Sequence, residues 1–204
     1  MTKPFIKICG ISQIDNLLEI MKFEEINYLG FIFYEKSPRY ISKEFLNSIK
    51  NIDFGNKRAV CVYVNADEEF INETSACFTN PIFQFHGDES NDFCKSFNRD
   101  FWKVIRVKDK ESLYHVSDYP DASGILFENY ESGLYGGTGN SFNWKLMNNI
   151  KDLDIKVILS GGINIKNVDN AIDINPWCID LNSGVELSPG VKNINLIKEV
   201  LQKL

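Results

Sequence analysis

No stretch of this sequence approaches the roughly 18 consecutive apolar residues of a membrane-spanning helix. Its opening, "MTKPFIKICGI", lacks the charged segment, apolar segment and cleavage site of a secretory leader. Basic residues are not clustered and the formal net charge is -6, which argues against nucleic acid or an anionic membrane as a partner. A small anionic ligand stays possible, because one pocket can be positive on an acidic protein. The five cysteines, Cys9, Cys61, Cys77, Cys94 and Cys178, are odd in number and scattered, with no C-x-x-C pair. Neither a disulfide framework nor a zinc site is indicated, no metal is expected, and most of the thiols read as small buried residues in a cytoplasmic protein. A Gly-rich dinucleotide fingerprint is missing as well: after "IKICG" comes "ISQID".

What is present is an alternation. The 204 residues, 44% hydrophobic, suffice for one well-filled core, and no linker divides them, so 1–204 reads as one domain. Eight apolar runs stand out: "FIKIC", "YLGFIF", "RAVCVYV", "IFQF", "FWKVIRV", "SGILFE", "KVILS" and "WCIDL". Between most of them lie polar stretches with helical spacing, several opening on an N-cap with an acid soon after, as in Ser12 to Asp15 and Ser42 to Glu44. Strand then helix, repeated, predicts an α/β fold with a parallel sheet, and eight units predict closure into a (β/α)8 TIM barrel. Roughly 25 residues per unit is lean for that fold, so the fifth helix, near "DKESLYHV", must be short. An open doubly wound sheet is the alternative.

In a barrel, "FIKIC" puts Phe5, Lys7 and Cys9 on one face and Ile6 and Ile8 on the other. The isoleucines suit the helix layer, which leaves Lys7 and Cys9 inside, with Cys9 at the C-terminal mouth where barrel enzymes work. An interior ammonium needs an acid. Asp180 in "WCIDL" lies on the eighth strand, the neighbour of the first, so Lys7 and Asp180 are expected to pair. Glycine-rich segments, "GGTGN", "VILSGGI" and "LNSGVE", follow or end the last strands, and the latter two stand before helical stretches. Their backbone amides, with helix dipoles, suit an anion such as phosphate.

"KICGI", "GFIFYEKSPRYIS", "VCVYVNAD", "FQFHGDE", "YGGTGNSFNW", "ILSGGI" and "DLNSGVE" occur in an order and spacing that resembles the phosphoribosylanthranilate isomerase family, from about Lys7 to Glu186. The resemblance implies an Amadori rearrangement of N-(5-phosphoribosyl)anthranilate in tryptophan biosynthesis. It implies no cofactor, a small phosphorylated substrate, and a monomer or homodimer. The family's base is the cysteine of its K-x-C-G motif, here Cys9. Its acid is an aspartate ending the sixth strand, where this chain has Glu128 in "ILFENYESG", the same group on a longer arm; Glu131 is a less suitable substitute. Strands one and six face each other across the mouth, so an acid there and a base on Cys9 could flank a substrate. By the same matching, Arg39 meets the anthranilate carboxylate. Ser160, Gly161, Gly162, Ser183 and Gly184 hold phosphate, and Gly137 and Gly139 border the substrate. His86, on the same face as Gln84, either lines the pocket or is structural. Arg106 is a pocket group or an ion-pair partner, His115 a surface residue, and Phe33 and Phe85 core. The rival functions are a different sugar-phosphate enzyme on a similar barrel, or a descendant that binds without turnover, Glu128 being the mark of decay.

Overall fold

All eight apolar runs form strands: β1 (Phe5–Ile8), β2 (Ile26–Ile32), β3 (Arg58–Tyr63), β4 (Ile82–Phe85), β5 (Phe101–Val107), β6 (Gly124–Asn129), β7 (Val157–Leu159) and β8 (Cys178–Leu181). The computed structural model describes residues 3–131, 141–150 and 154–204. In it the strands pair in parallel and in chain order, with β8 returning to β1, so the sheet is a closed barrel and not an open one.

Period-two alternation sorts each strand between two cores. Ile6, Ile8, Phe31, Phe33, Phe83, Phe85, Phe101 and Ile105 face the helix layer, while Cys9, Val60, Val62, Trp102, Val104, Leu126, Ile158 and Cys178 fill the barrel. Each fully buried Ile or Phe contributes roughly 1.5–3 kcal/mol, so a one-residue slip of any strand would be very costly. Phe5 shares the inner face but sits on the N-terminal rim, 41% exposed. There it meets Trp177 with ring centroids 4.9 Å apart, and Tyr28 meets Trp102 at 5.0 Å, which floors the barrel opposite its functional mouth.

The outer layer comprises α1 (Ile14–Met21), α2 (Lys43–Ile49), α3 (Glu68–Ser75), α4 (Asn91–Ser96), α5 (Val168–Asp173) and α6 (Ile194–Leu201). Ser42 caps α2 as expected, accepting from Phe45 N at 3.2 Å, and Asp67 and Ser90 cap α3 and α4 the same way. Ser12 does not cap α1. Gln13 holds that position without a side-chain bond, and the Ser12 hydroxyl donates to Gly190 O at 3.1 Å. The fifth unit is a 3-10 segment, Glu111–Asp118, whose start is tightened by Asp109 Oδ1 accepting from both Ser112 N and Ser112 Oγ. A second 3-10 segment, Trp144–Ile150, follows β6. After β8 the chain makes a 3-10 turn (Ser183–Val185) and an antiparallel hairpin of β9 (Glu186–Ser188) and β10 (Val191–Lys192) before α6.

Candidate active site

The register of β1 against β8 sets Lys7 beside Asp180, and Lys7 Nζ donates to Asp180 Oδ1 at 2.9 Å with both side chains buried. Burial alone would pull the Lys7 pKa down. Asp180 outweighs it, aided by Cys9, and the ammonium is held above its usual value. The other oxygen of Asp180 accepts from Ser160 Oγ at 3.3 Å.

Cys9 follows β1 directly and its amide donates to Leu181 O at 2.9 Å, continuing the sheet by one bond. Burial pushes its thiol pKa up. Lys7 pulls it back, Asp180 pushes it up, and Lys192 pulls down. Room for the sulfur comes from Gly30 of β2, where a Cβ would stand 2.8 Å from Cys9 Sγ. A glycine inside the apolar run "YLGFIF" was the available sign of such a close approach.

Glu128 is two residues beyond Leu126 on β6, hence on the inner face, and is buried. Its Oε1 lies 2.5 Å from His86 Nε2. His86 directly follows β4, fixed by its amide donating to Tyr63 O at 2.8 Å. The glutamate arm is therefore tied across β5 to the end of β4, and His86 is the hydrogen-bond partner of Glu128. Arg106, register neighbour of Glu128 on β5, pairs with Asp88 at 3.0 Å. His115 is exposed and bonds Asp118 at 2.8 Å. Glu131 lies beyond the end of β6.

Arg39 is buried and clasped by Glu186: Nε donates to Oε1 and Oε2 at 3.0 and 3.1 Å, and Nη2 to Oε2 at 2.8 Å. Glu186 Oε1 also accepts from Lys192 Nζ at 2.7 Å, and Lys192 donates to Asn182 Oδ1 at 2.9 Å. Burial would raise the Glu186 pKa, but Arg39 and Lys192 reverse this and hold it below the usual carboxylate value. Burial lowers that of Lys192, against the pull of Glu186. Neither Glu186 nor Lys192 was assigned a role from the sequence. A lone lysine in "PGVKN" carries no signal until the hairpin folds it back.

The two glycine loops touch. A Cβ on Gly184 would stand 1.9 Å from Ile163 O, so only glycine lets the loop after β8 lie on the loop after β7. Gly161 and Gly162 have φ of 95° and 62°, in the region open to glycine. Ser160 differs from the other expected phosphate residues: its amide donates to Phe127 O at 2.9 Å and its hydroxyl to Asp180. α5 begins only at Val168 and the hairpin separates Ser183 and Gly184 from α6, so the helical turn next to these residues is the 3-10 turn Ser183–Val185. Gly137 and Gly139 lie outside the described residues.

The mouth thus assembles a thiol above a neutralised ion pair, a carboxyl bonded to imidazole, a buried guanidinium, and two apposed glycine loops. That set can move protons on a bound anion. Among the described residues, no group of three or more His, Cys, Asp or Glu could hold a metal ion, and no helix is long and apolar enough to cross a membrane.

A family model described as "PRAI: N-(5'phosphoribosyl)anthranilate (PRA) isomerase" matches residues 6–203. The N-(5'-phosphoribosyl)anthranilate isomerase of Nitrosomonas europaea is 38% identical over 201 residues, 98% of this chain and 94% of that protein. The crystal structure of phosphoribosyl anthranilate isomerase from Thermotoga maritima aligns with a TM-score of 0.87 at 30% identity, covering 98% of each chain. A phosphoribosyl anthranilate isomerase crystallised with reduced 1-(o-carboxyphenylamino)-1-deoxyribulose 5-phosphate aligns with a TM-score of 0.84 at 29% identity, covering 98% of this chain and 97% of that one.

Proposed function

The chain belongs to the N-(5'-phosphoribosyl)anthranilate isomerase family, and from that premise we propose how its own residues carry the reaction. It is an isomerase of tryptophan biosynthesis, converting N-(5-phosphoribosyl)anthranilate to 1-(o-carboxyphenylamino)-1-deoxyribulose 5-phosphate by an Amadori rearrangement.

In the proposed cycle Glu128 starts as the acid and gives its proton to the furanose ring oxygen. The C1′–O bond breaks as the anilino nitrogen lone pair forms the C=N bond of a Schiff base. The carboxylate left behind accepts an N–H from His86. Cys9, as thiolate, then removes the proton from C2′. The electron pair moves toward the nitrogen, giving the enol, which tautomerises to the ketone. Burial makes the Cys9 thiolate scarce but strongly basic, and Lys7 and Lys192 offset part of that cost. Asp180 keeps Lys7 paired so that the interior holds no bare ammonium.

Arg39 meets the anthranilate carboxylate, to which a guanidinium offers paired donors. The backbone at Gly161, Gly162, Ser183 and Gly184 receives the phosphate, and Ser160 supports it by fixing Asp180. The reaction belongs to the cytoplasm in this scheme.

The single observation that carries the scheme is that Cys9 and Glu128 lie on the inner face at the C-terminal ends of β1 and β6, each beside its own polar partner, Lys7 and His86. The experiment is a kinetic assay on freshly generated substrate. Wild type should turn over, and Glu128→Gln, which keeps size and polarity but not the titrating proton, should slow by about 10²–10⁴-fold. Full activity in Glu128→Gln would remove the acid role from Glu128 and point to Glu131.

A further inference from the structure

Arg39, Glu186 and Lys192 form a buried cluster of two cations and one anion. The Arg39 and Lys192 residues are 5% and 2% exposed, and the Glu186 side chain 3%. The cluster lies at the mouth. Gly10, the residue after the thiol, has φ of 72°, and a Cβ there would stand 2.7 Å from Arg39 Cδ and 2.9 Å from Asn182 Oδ1. The Arg39 stem therefore runs against the backbone that carries Cys9.

A guanidinium has two edges that can each grip a carboxylate: the side edge of Nε and Nη2, and the end edge of Nη1 and Nη2. Glu186 occupies the side edge with three contacts of 2.8 to 3.1 Å. Among the described residues no group bonds Nη1, so the end edge is open to a ligand. Glu186 is itself held in place, by Lys192 Nζ at 2.7 Å and by Gly190 N at 3.2 Å. The hairpin that supplies Lys192 is fastened to the first βα unit: Lys192 N donates to Asn16 Oδ1 at 2.8 Å, and Ser12 Oγ to Gly190 O at 3.1 Å. That is the use to which the missing α1 cap is put. Among the described residues, two cations against one anion leave one positive charge buried without a counter-charge, and the nearby Lys7–Asp180 pair is already neutral. One carboxylate delivered to the free edge completes the cluster.

We propose that Glu186, braced by Lys192, is a positioning residue that fixes the plane of Arg39 and turns its end edge toward the carboxylate of the substrate's aromatic ring. This rests on the assignment of Arg39 to that carboxylate. Glu186 touches no substrate atom and acts through Arg39, so its effect is confined to recognition of one substituent. A substrate lacking the carboxylate does not sense it.

The test is calorimetric binding of two ligands, the reduced product analogue and its N-phenyl counterpart without the ring carboxylate. Wild type should prefer the carboxylated ligand. In Glu186→Gln that preference should fall by about tenfold or more, the scale of a lost charge-assisted bond, with the N-phenyl affinity unchanged. Glu186→Asp should recover part of it. The double variant Glu186→Gln/Lys192→Met removes the brace while leaving the cluster's net charge as it is, so it separates orientation from field and relieves the repulsion of two unshielded cations. Loss of preference in the double variant supports the proposal. Retained preference, or equal weakening of both ligands, overturns it. Arg39→Met tests the underlying assignment by itself: if it leaves the preference intact, Arg39 is not the carboxylate residue.

Discussion

His86 Nε2 and Glu128 Oε1 stand 2.5 Å apart at the mouth of the barrel, joining the end of β4 to the end of β6 across β5. The contact gives the glutamate at the end of β6 a fixed partner. The extra methylene carries the carboxyl to an imidazole whose own position is fixed by a backbone bond to β3. In the proposed cycle this bond keeps the carboxyl in place, and misplacement of about 1 Å can cost about 10²-fold in rate.

His86→Ala should slow ring opening by about 10- to 100-fold, the scale of one hydrogen bond to a charged group. His86→Gln, which can still donate an N–H, should recover part of the loss. Single-turnover kinetics on fresh substrate would show it, and equal rates in wild type and His86→Ala would mean that Glu128 needs no partner.

Breaking the Lys7–Asp180 pair from one side should be worse than removing it. Asp180→Asn leaves a buried ammonium uncompensated and should cost about 3–5 kcal/mol of folding stability. Lys7→Met/Asp180→Leu should be more stable than Asp180→Asn. Urea unfolding of the variants decides it; a double variant less stable than Asp180→Asn would show that the pair does more than cancel its own charges.

The Cys9 thiol should ionise late. Its pKa is raised because burial outweighs Lys7 and Lys192, so the rate of alkylation by iodoacetamide should rise with a midpoint above the roughly 8.5 of a free thiol. Lys192→Met removes one stabilising cation from the thiolate and should move the midpoint higher still. A midpoint below that of a free thiol would reverse the sign of the argument.

Gly184→Ala should weaken phosphate recognition. The added Cβ would collide with Ile163 O and force the loops after β7 and β8 apart, so KM should rise more than kcat falls. Competitive inhibition by inorganic phosphate gives an independent readout, and unchanged inhibition would take the phosphate away from these loops.

The barrel was legible because alternation is a local property. "FIKIC" alone assigns Ile6 and Ile8 outward and Lys7 and Cys9 inward, and ring closure then makes Asp180 the neighbour of Lys7. The partners of His86 and Arg39 were not legible. Both depend on side chains distant in sequence, Glu128 and Glu186, whose approach is set by strand tilt and by a hairpin that no periodicity announces. Ser12 shows the same limit: its sequence context suits a cap, but Gly190 O, brought close only by the folded hairpin, takes the hydroxyl.

The most direct test of the central claim measures Cys9→Ala in two ways on one preparation: kcat with freshly generated substrate, and the Kd of the reduced product analogue. With Cys9 as the base, kcat should fall by at least about 10²-fold, the low end for removal of a general base, while Kd stays within a few-fold of wild type. Turnover within a few-fold of wild type, with the analogue still bound, would contradict the account.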